Sequence, residues 1–143
     1  MKNLFKSERN SFIAAGIILF SIILMIVTIP FALSNTSENI NTESSAIGIT
    51  IAIIIHLVIL SIYLKVVWEN KQNRKRDGGY IAVAIILTIF GLVYMDGAIA
   101  FVTDSETLFI SILMFASVFF DITASVMMIV IYVLKPRNKL KHT

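Results

Sequence analysis

The chain has no cysteine, two prolines and six glycines in 143 residues. Without cysteine there is no disulfide framework of the kind that stabilises small secreted domains, and no thiolate to ligate zinc or act as a nucleophile. So little glycine and proline excludes collagen-like and low-complexity chains. Charge is scarce as well: Asp, Glu, Lys and Arg make up 15% of residues against 57% hydrophobic, where soluble domains carry about a quarter charged. With a mean hydropathy of +0.88, an ordinary soluble domain is excluded too. What the chain has in quantity is Ile, Leu, Val and Phe, in long runs.

Four such runs occur, Ser11–Leu33, Ala46–Val67, Tyr80–Val102 and Leu108–Leu134. Each is close to the ~20 residues a helix needs to cross ~30 Å of hydrocarbon. Strands of a membrane barrel are only ~10 residues long and alternate apolar with polar, whereas Ile13–Phe20 and Ile81–Phe90 are apolar on all sides. The abundant Ile and Val would weaken a helix in water; in lipid that penalty is overridden, because the backbone must satisfy its own hydrogen bonds. The expected fold is therefore all-α: one four-span membrane domain over residues 1–143, packed as an antiparallel four-helix bundle. The first run should stop near Pro30, which removes the bond to the Ile26 carbonyl, and the last at Lys135-Pro136.

Ala32-Leu33-Ser34 behind a basic head has the look of a signal-peptide cleavage site. The apolar run before it exceeds the 7–15 residues of a signal core, and bulky Pro30 and Phe31 precede the small residues. A retained first span is expected. The intact mass of the protein isolated from membranes should include this segment; loss of the chain up to Ser34 would remove one of the four spans.

Charge sets the orientation. Lys2, Lys6 and Arg9 lie in the head, Lys65, Lys71, Arg74, Lys75 and Arg76 in and beside the middle loop, and Lys135, Arg137, Lys139 and Lys141 in the tail. The other two loops hold Glu38, Glu43, Asp104 and Glu106 and no Lys or Arg. By the positive-inside rule the head, middle loop, tail and both termini are cytoplasmic. Lys71, Arg74, Lys75, Arg76, Lys135 and Arg137 are placed to attract anionic lipid headgroups, at about 1 kcal/mol per cation; the plainer reading is that they only set topology. The isoelectric point near 9.3 is accounted for in this way, so nucleic acid is not expected as a partner. Trp68, Tyr63, Tyr80 and Tyr132 fall at the same ends, where an interfacial aromatic belt belongs. Asn35-Thr36-Ser37 is a glycosylation sequon only in a eukaryotic secretory route. Heavy use of Ile, Lys and Asn points instead to an AT-rich bacterial genome and a bacterial plasma membrane.

Three ionisable residues fall inside the runs. Counted from the outer ends at 1.5 Å per residue, His56 lies roughly 15 Å deep, Asp121 roughly 20 Å and Asp96 about 9 Å. A central Asp costs about 2.5–3.5 kcal/mol on insertion, which the apolar residues of the fourth run exceed, but an unpaired carboxylate still needs a partner or a proton. Such groups should face the bundle interior. Seams of small and polar residues at helical spacing accompany them: Ala14, Ile18, Ser21, Met25, Thr28 and Ala32 on the first span; Gly48, Ala52, His56 and Tyr63 on the second; Thr88, Leu92, Asp96 and Ala100, with Gly97 beside them, on the third; Ser117, Asp121, Ala124 and Ser125 on the fourth.

Two roles compete for these groups. His56 and Asp121 could form an interhelical hydrogen bond, worth about 1 kcal/mol as glue. Alternatively, with Asp96 as an outer station, they could form a proton or ion path, since His and a buried Asp can both change charge at physiological pH. No metal site, cofactor or catalytic group is expected: no helix carries two ligands at i, i+4, and no Gly-rich phosphate loop, HExxH or CxxC occurs.

In length, four-span plan, basic hairpin and basic tail, the chain resembles small membrane proteins of low-GC Gram-positive bacteria whose activity is uncharacterised. The likeness is carried by Arg76–Phe90 (RDGGYIAVAIILTIF) and the spans that follow to Lys135. It implies the four-span plan and transfers no functional residue. A small multidrug exporter would hold an acid in its first span, and a tetraspanin would hold cysteines in a large outer loop; this chain has neither. The expectation is a non-enzymatic membrane protein, an accessory, immunity-type or structural component, with lipid and a second copy or another membrane protein as partners. The alternatives are a small proton-coupled transporter or ion channel using His56, Asp96 and Asp121, and, more remotely, a phage-type holin.

Overall fold

A computed structural model describes residues 2–34, 42–73, 78–102 and 107–134, the side chains of 2–8, 42–44, 70–73 and 100 excepted. These residues form four helices, α1 Lys2–Leu33, α2 Thr42–Asn73, α3 Gly79–Ala100 and α4 Leu108–Leu134. Each contains a stretch long and apolar enough to cross a membrane: Arg9–Leu33, Ser45–Glu69, Gly79–Ile99 and Leu108–Leu134. The described residues are all-helical, with the four apolar helices of a polytopic membrane protein.

The helix ends differ from the apolar runs for local reasons. Helices α1 and α2 continue past the greasy segments into polar stretches rich in Lys, Glu, Gln and Arg, all good helix formers. Pro30 sits in the last turn of α1, which ends at Leu33, where its apolar run ends. That turn is closed by the Ser34 N–H on the Pro30 carbonyl at 3.0 Å and the Ser34 hydroxyl on the Phe31 carbonyl at 3.1 Å. Helix α3 stops at Ala100, short of Val102. There the amides of Phe101 and Val102 tighten onto the carbonyls of Ala98 and Ile99, each at 3.1 Å.

Buried positions recur every seven residues on all four helices: Ser11, Ile18, Met25 and Ala32 on α1; Ile49, His56 and Tyr63 on α2; Tyr80, Leu87 and Tyr94 on α3; Ile110, Ser117, Ala124 and Ile131 on α4. Such a repeat keeps one face inward over many turns where helices wind gently round one another. The helices pack in the order α1–α2–α3–α4 and back to α1, and the α2–α3 side is the thinnest. Ser21 and Ser117 bring α1 and α4 together: the Ser21 hydroxyl donates to the Ser117 carbonyl at 3.1 Å, and small side chains at such a crossing allow close backbones. Phe31 and Phe109 meet edge to face at 4.9 Å where α1 ends and α4 begins. Outward faces carry Phe12, Ile26, Ile54, Val93, Phe119 and Val133, an apolar surface suited to acyl chains.

Two tyrosines assigned to an interfacial belt serve the core instead. Tyr63 and Tyr80 are buried, stacked edge to face at 5.9 Å. The Tyr63 hydroxyl donates to the Ser11 carbonyl at 2.9 Å, and the Tyr80 hydroxyl lies 3.3 Å from the Ser11 hydroxyl. This knot ties the start of α1 to the end of α2 and the start of α3. Trp68, in contrast, is 61% exposed.

Candidate functional site

The first span places its whole seam inward: Ala14, Ile18, Ser21, Met25, Thr28 and Ala32 are all buried. So are Ser117, Asp121, Ala124 and Ser125 on α4. The second span does so in part, with His56 and Tyr63 buried, Ala52 half-buried and Gly48 exposed. The third span turns the other way. Leu92, Asp96 and Gly97 are exposed, and the inward face is Tyr80, Val83, Ala84, Leu87, Gly91, Tyr94 and Ala98. Asp96 lies one turn from the end of α3.

His56 and Asp121 meet in the core. His56 Nε2 lies 2.7 Å from Asp121 Oδ2, with the two side chains 1% and 0% exposed. Counted from the ends of the apolar runs the two residues differ in depth. Helix α2, however, begins at Thr42 rather than Ala46, which puts His56 roughly 21 Å along its helix against roughly 20 Å for Asp121. The 2.7 Å contact shows that they stand level in the bundle.

The other ring nitrogen fixes the chemistry of the pair. His56 Nδ1 lies 2.8 Å from the Ala52 carbonyl one turn back. A carbonyl only accepts, so Nδ1 carries a hydrogen. Between Nε2 and Oδ2 there is then room for one shared proton, held as imidazolium and carboxylate or as imidazole and carboxylic acid. Either form is neutral as a pair, which suits a dry core. The α4 side is steadied by Ser125, whose hydroxyl donates to the Asp121 carbonyl at 3.0 Å.

Gly91 is the feature that sequence inspection missed. A Cβ at this position would stand 3.5 Å from Asp121 Cβ and 3.6 Å from Asp121 Oδ2, so the bare α3 backbone forms a wall of the site. One turn further on, Tyr94 is 7% exposed. Among the described residues, its hydroxyl and Asp121 Oδ1 are buried polar atoms without a hydrogen-bond partner. Thr28 of α1 is the polar neighbour of the Tyr94 hydroxyl and gives its own hydrogen to the Leu24 carbonyl at 2.7 Å. The only advance signal was the pairing of a glycine and a tyrosine three apart in an apolar run.

The chain matches no protein-family model, no curated protein and no solved structure. Function must therefore be argued from this geometry. Among the described residues no three His, Asp or Glu side chains gather as a metal-binding set. Of the residues read as headgroup ligands, Arg74, Lys75, Arg76, Lys135 and Arg137 lie outside the described residues, as does the side chain of Lys71.

Proposed function

We propose that the protein is a non-enzymatic accessory or immunity-type component of a bacterial cell membrane. In this reading it is an antiparallel four-helix bundle with both termini on the cytoplasmic side, and the His56–Asp121 pair locks α2 to α4 in register. The observation that carries the reading is the enclosure of that pair. Both imidazole nitrogens and one carboxylate oxygen find partners inside the bundle, while Asp96 stands exposed on α3. The three groups do not form a succession through the core. The basic head, middle loop and tail hold the bundle in the membrane against anionic headgroups, and its apolar outer faces are available to lipid or to another membrane helix.

A second reading, a small proton-coupled transporter or channel working through His56, Asp96 and Asp121, is favoured by one observation: Asp121 Oδ1 and the Tyr94 hydroxyl are unpartnered in the same core. Reconstitution into liposomes with an internal pH-sensitive dye separates the two. The lock predicts no dye response above that of empty vesicles under an imposed potential, and a reduced protein level for His56→Ala. A response abolished by both His56→Ala and Asp121→Asn, at unchanged protein level, would establish the transporter instead.

A further inference from the structure

We infer that the bundle core binds internal water, which links the Tyr94 hydroxyl to the free Oδ1 of Asp121 and so extends the His56–Asp121 pair into a polar site built by all four helices. Two buried polar atoms without a protein partner call for an explanation, because leaving either bare in an apolar interior is costly. Both belong to side chains more than nine-tenths buried, Tyr94 at 7% exposed and Asp121 at 0%. They belong to one neighbourhood: Gly91, one turn from Tyr94 on α3, is in contact distance of Asp121. The absence of a side chain at Gly91 lets the α3 backbone stand close against the carboxylate.

The donors and acceptors suit water. Asp121 Oδ1 accepts, the Tyr94 hydroxyl both donates and accepts, and the Thr28 oxygen next to it keeps a lone pair after its hydrogen goes to Leu24. Buried water typically makes about three hydrogen bonds to polar groups that would otherwise be unsatisfied. Thr28 is on α1, His56 on α2, Tyr94 on α3 and Asp121 on α4. Water at this point also gives the proton shared by His56 and Asp121 a way to exchange. When the shared proton sits on Asp121, a half-turn of the carboxyl group brings the protonated oxygen from His56 Nε2 to the water; the water takes that proton and gives back one of its own, and the reverse turn restores the pair with its charge unchanged.

The inference rests on the His56–Asp121 pairing proposed above, and nuclear magnetic resonance on the full chain in detergent micelles tests it separately. In the native protein, ring protons of Tyr94 or His56 should show cross-relaxation with a long-lived water. In Tyr94→Phe that signal should vanish, exchange of the His56 ring N–H with deuterated solvent should slow about tenfold or more, and the melting temperature should fall by about 2–6 °C. An unpartnered hydroxyl would instead leave exchange unchanged and melting equal or higher in Tyr94→Phe, which overturns the inference. Melting that differs between sodium and choline buffers and depends on Asp121 would also overturn it, since the guest would then be a cation. Failure of the pairing itself has a different signature, an unaltered melting temperature in His56→Leu.

Discussion

His56→Leu should melt about 10 °C below the native chain in detergent, and Asp121→Leu similarly, whereas the double variant His56→Leu/Asp121→Leu should return to within a few degrees of native. The argument turns on what each change leaves behind. Removing the imidazole strands Asp121, fully buried, with neither of its oxygens bonded to protein. Breaking a buried pair from one side costs about 3–5 kcal/mol in soluble proteins. In membranes interhelical bonds are worth less, about 0.6–1.7 kcal/mol, because the separated helices find other partners. A loss of about 3 kcal/mol is the balance of the two, and converts to about 10 °C at 2–4 °C per kcal/mol. Replacing both groups removes the orphan along with the bond, and a paired apolar replacement is often neutral or stabilising. Asp121→Asn should be mild, since the amide N–H₂ can donate to His56 Nε2 while Nδ1 keeps its hydrogen for Ala52. Thermal melts of the four variants check the cycle; additive losses in the double variant would show that the residues act independently.

Gly91 carries the second large effect. Gly91→Ala should melt at or slightly above the native temperature, because its Cβ would sit in ordinary contact with Asp121 at 3.5 and 3.6 Å and alanine is the better helix former by about 1 kcal/mol. Gly91→Leu should lose about 4 kcal/mol, or roughly 12 °C. Its further carbons must occupy space taken by the Asp121 carboxylate, so either α3 moves off α4 or the carboxylate leaves His56. The contrast between the two substitutions tests close approach rather than conformational freedom, since Gly91 sits within a regular helix. Equal melting of both variants would mean that α3 does not wall the site.

Much of the architecture was legible residue by residue. The apolar runs gave four helices because span length depends only on consecutive side chains meeting lipid, and the bounds of α4 coincide with its run. The inward stripe of α1 was legible too: its small and polar residues fall at alternating steps of four and three, the spacing of a surface that stays buried along a bundle. Helix α3 was misread for an instructive reason. A seam through Asp96 follows from turning every acid of a span inward, whereas Asp96, one turn from the end of α3, is exposed on its outer side. The residues that do face inward there, Ala84, Gly91 and Ala98, are small, and the tyrosines that accompany them have polar tips that read equally well as interfacial.

From the sequence alone follow the helical class, the number of apolar spans and the presence of His56 and Asp121 within them, because hydropathy, backbone self-satisfaction and residue identity are properties of consecutive positions. Only the tertiary structure decided that His56 and Asp121 lie 2.7 Å apart, that Gly91 backs the carboxylate, that Tyr94 shares its core and that Asp96 stands apart. Those facts depend on how each helix is placed along its axis and rotated about it in the packed bundle. Sliding α2 by one turn against α4 would part His56 from Asp121, and no local feature of the chain sets that register in advance.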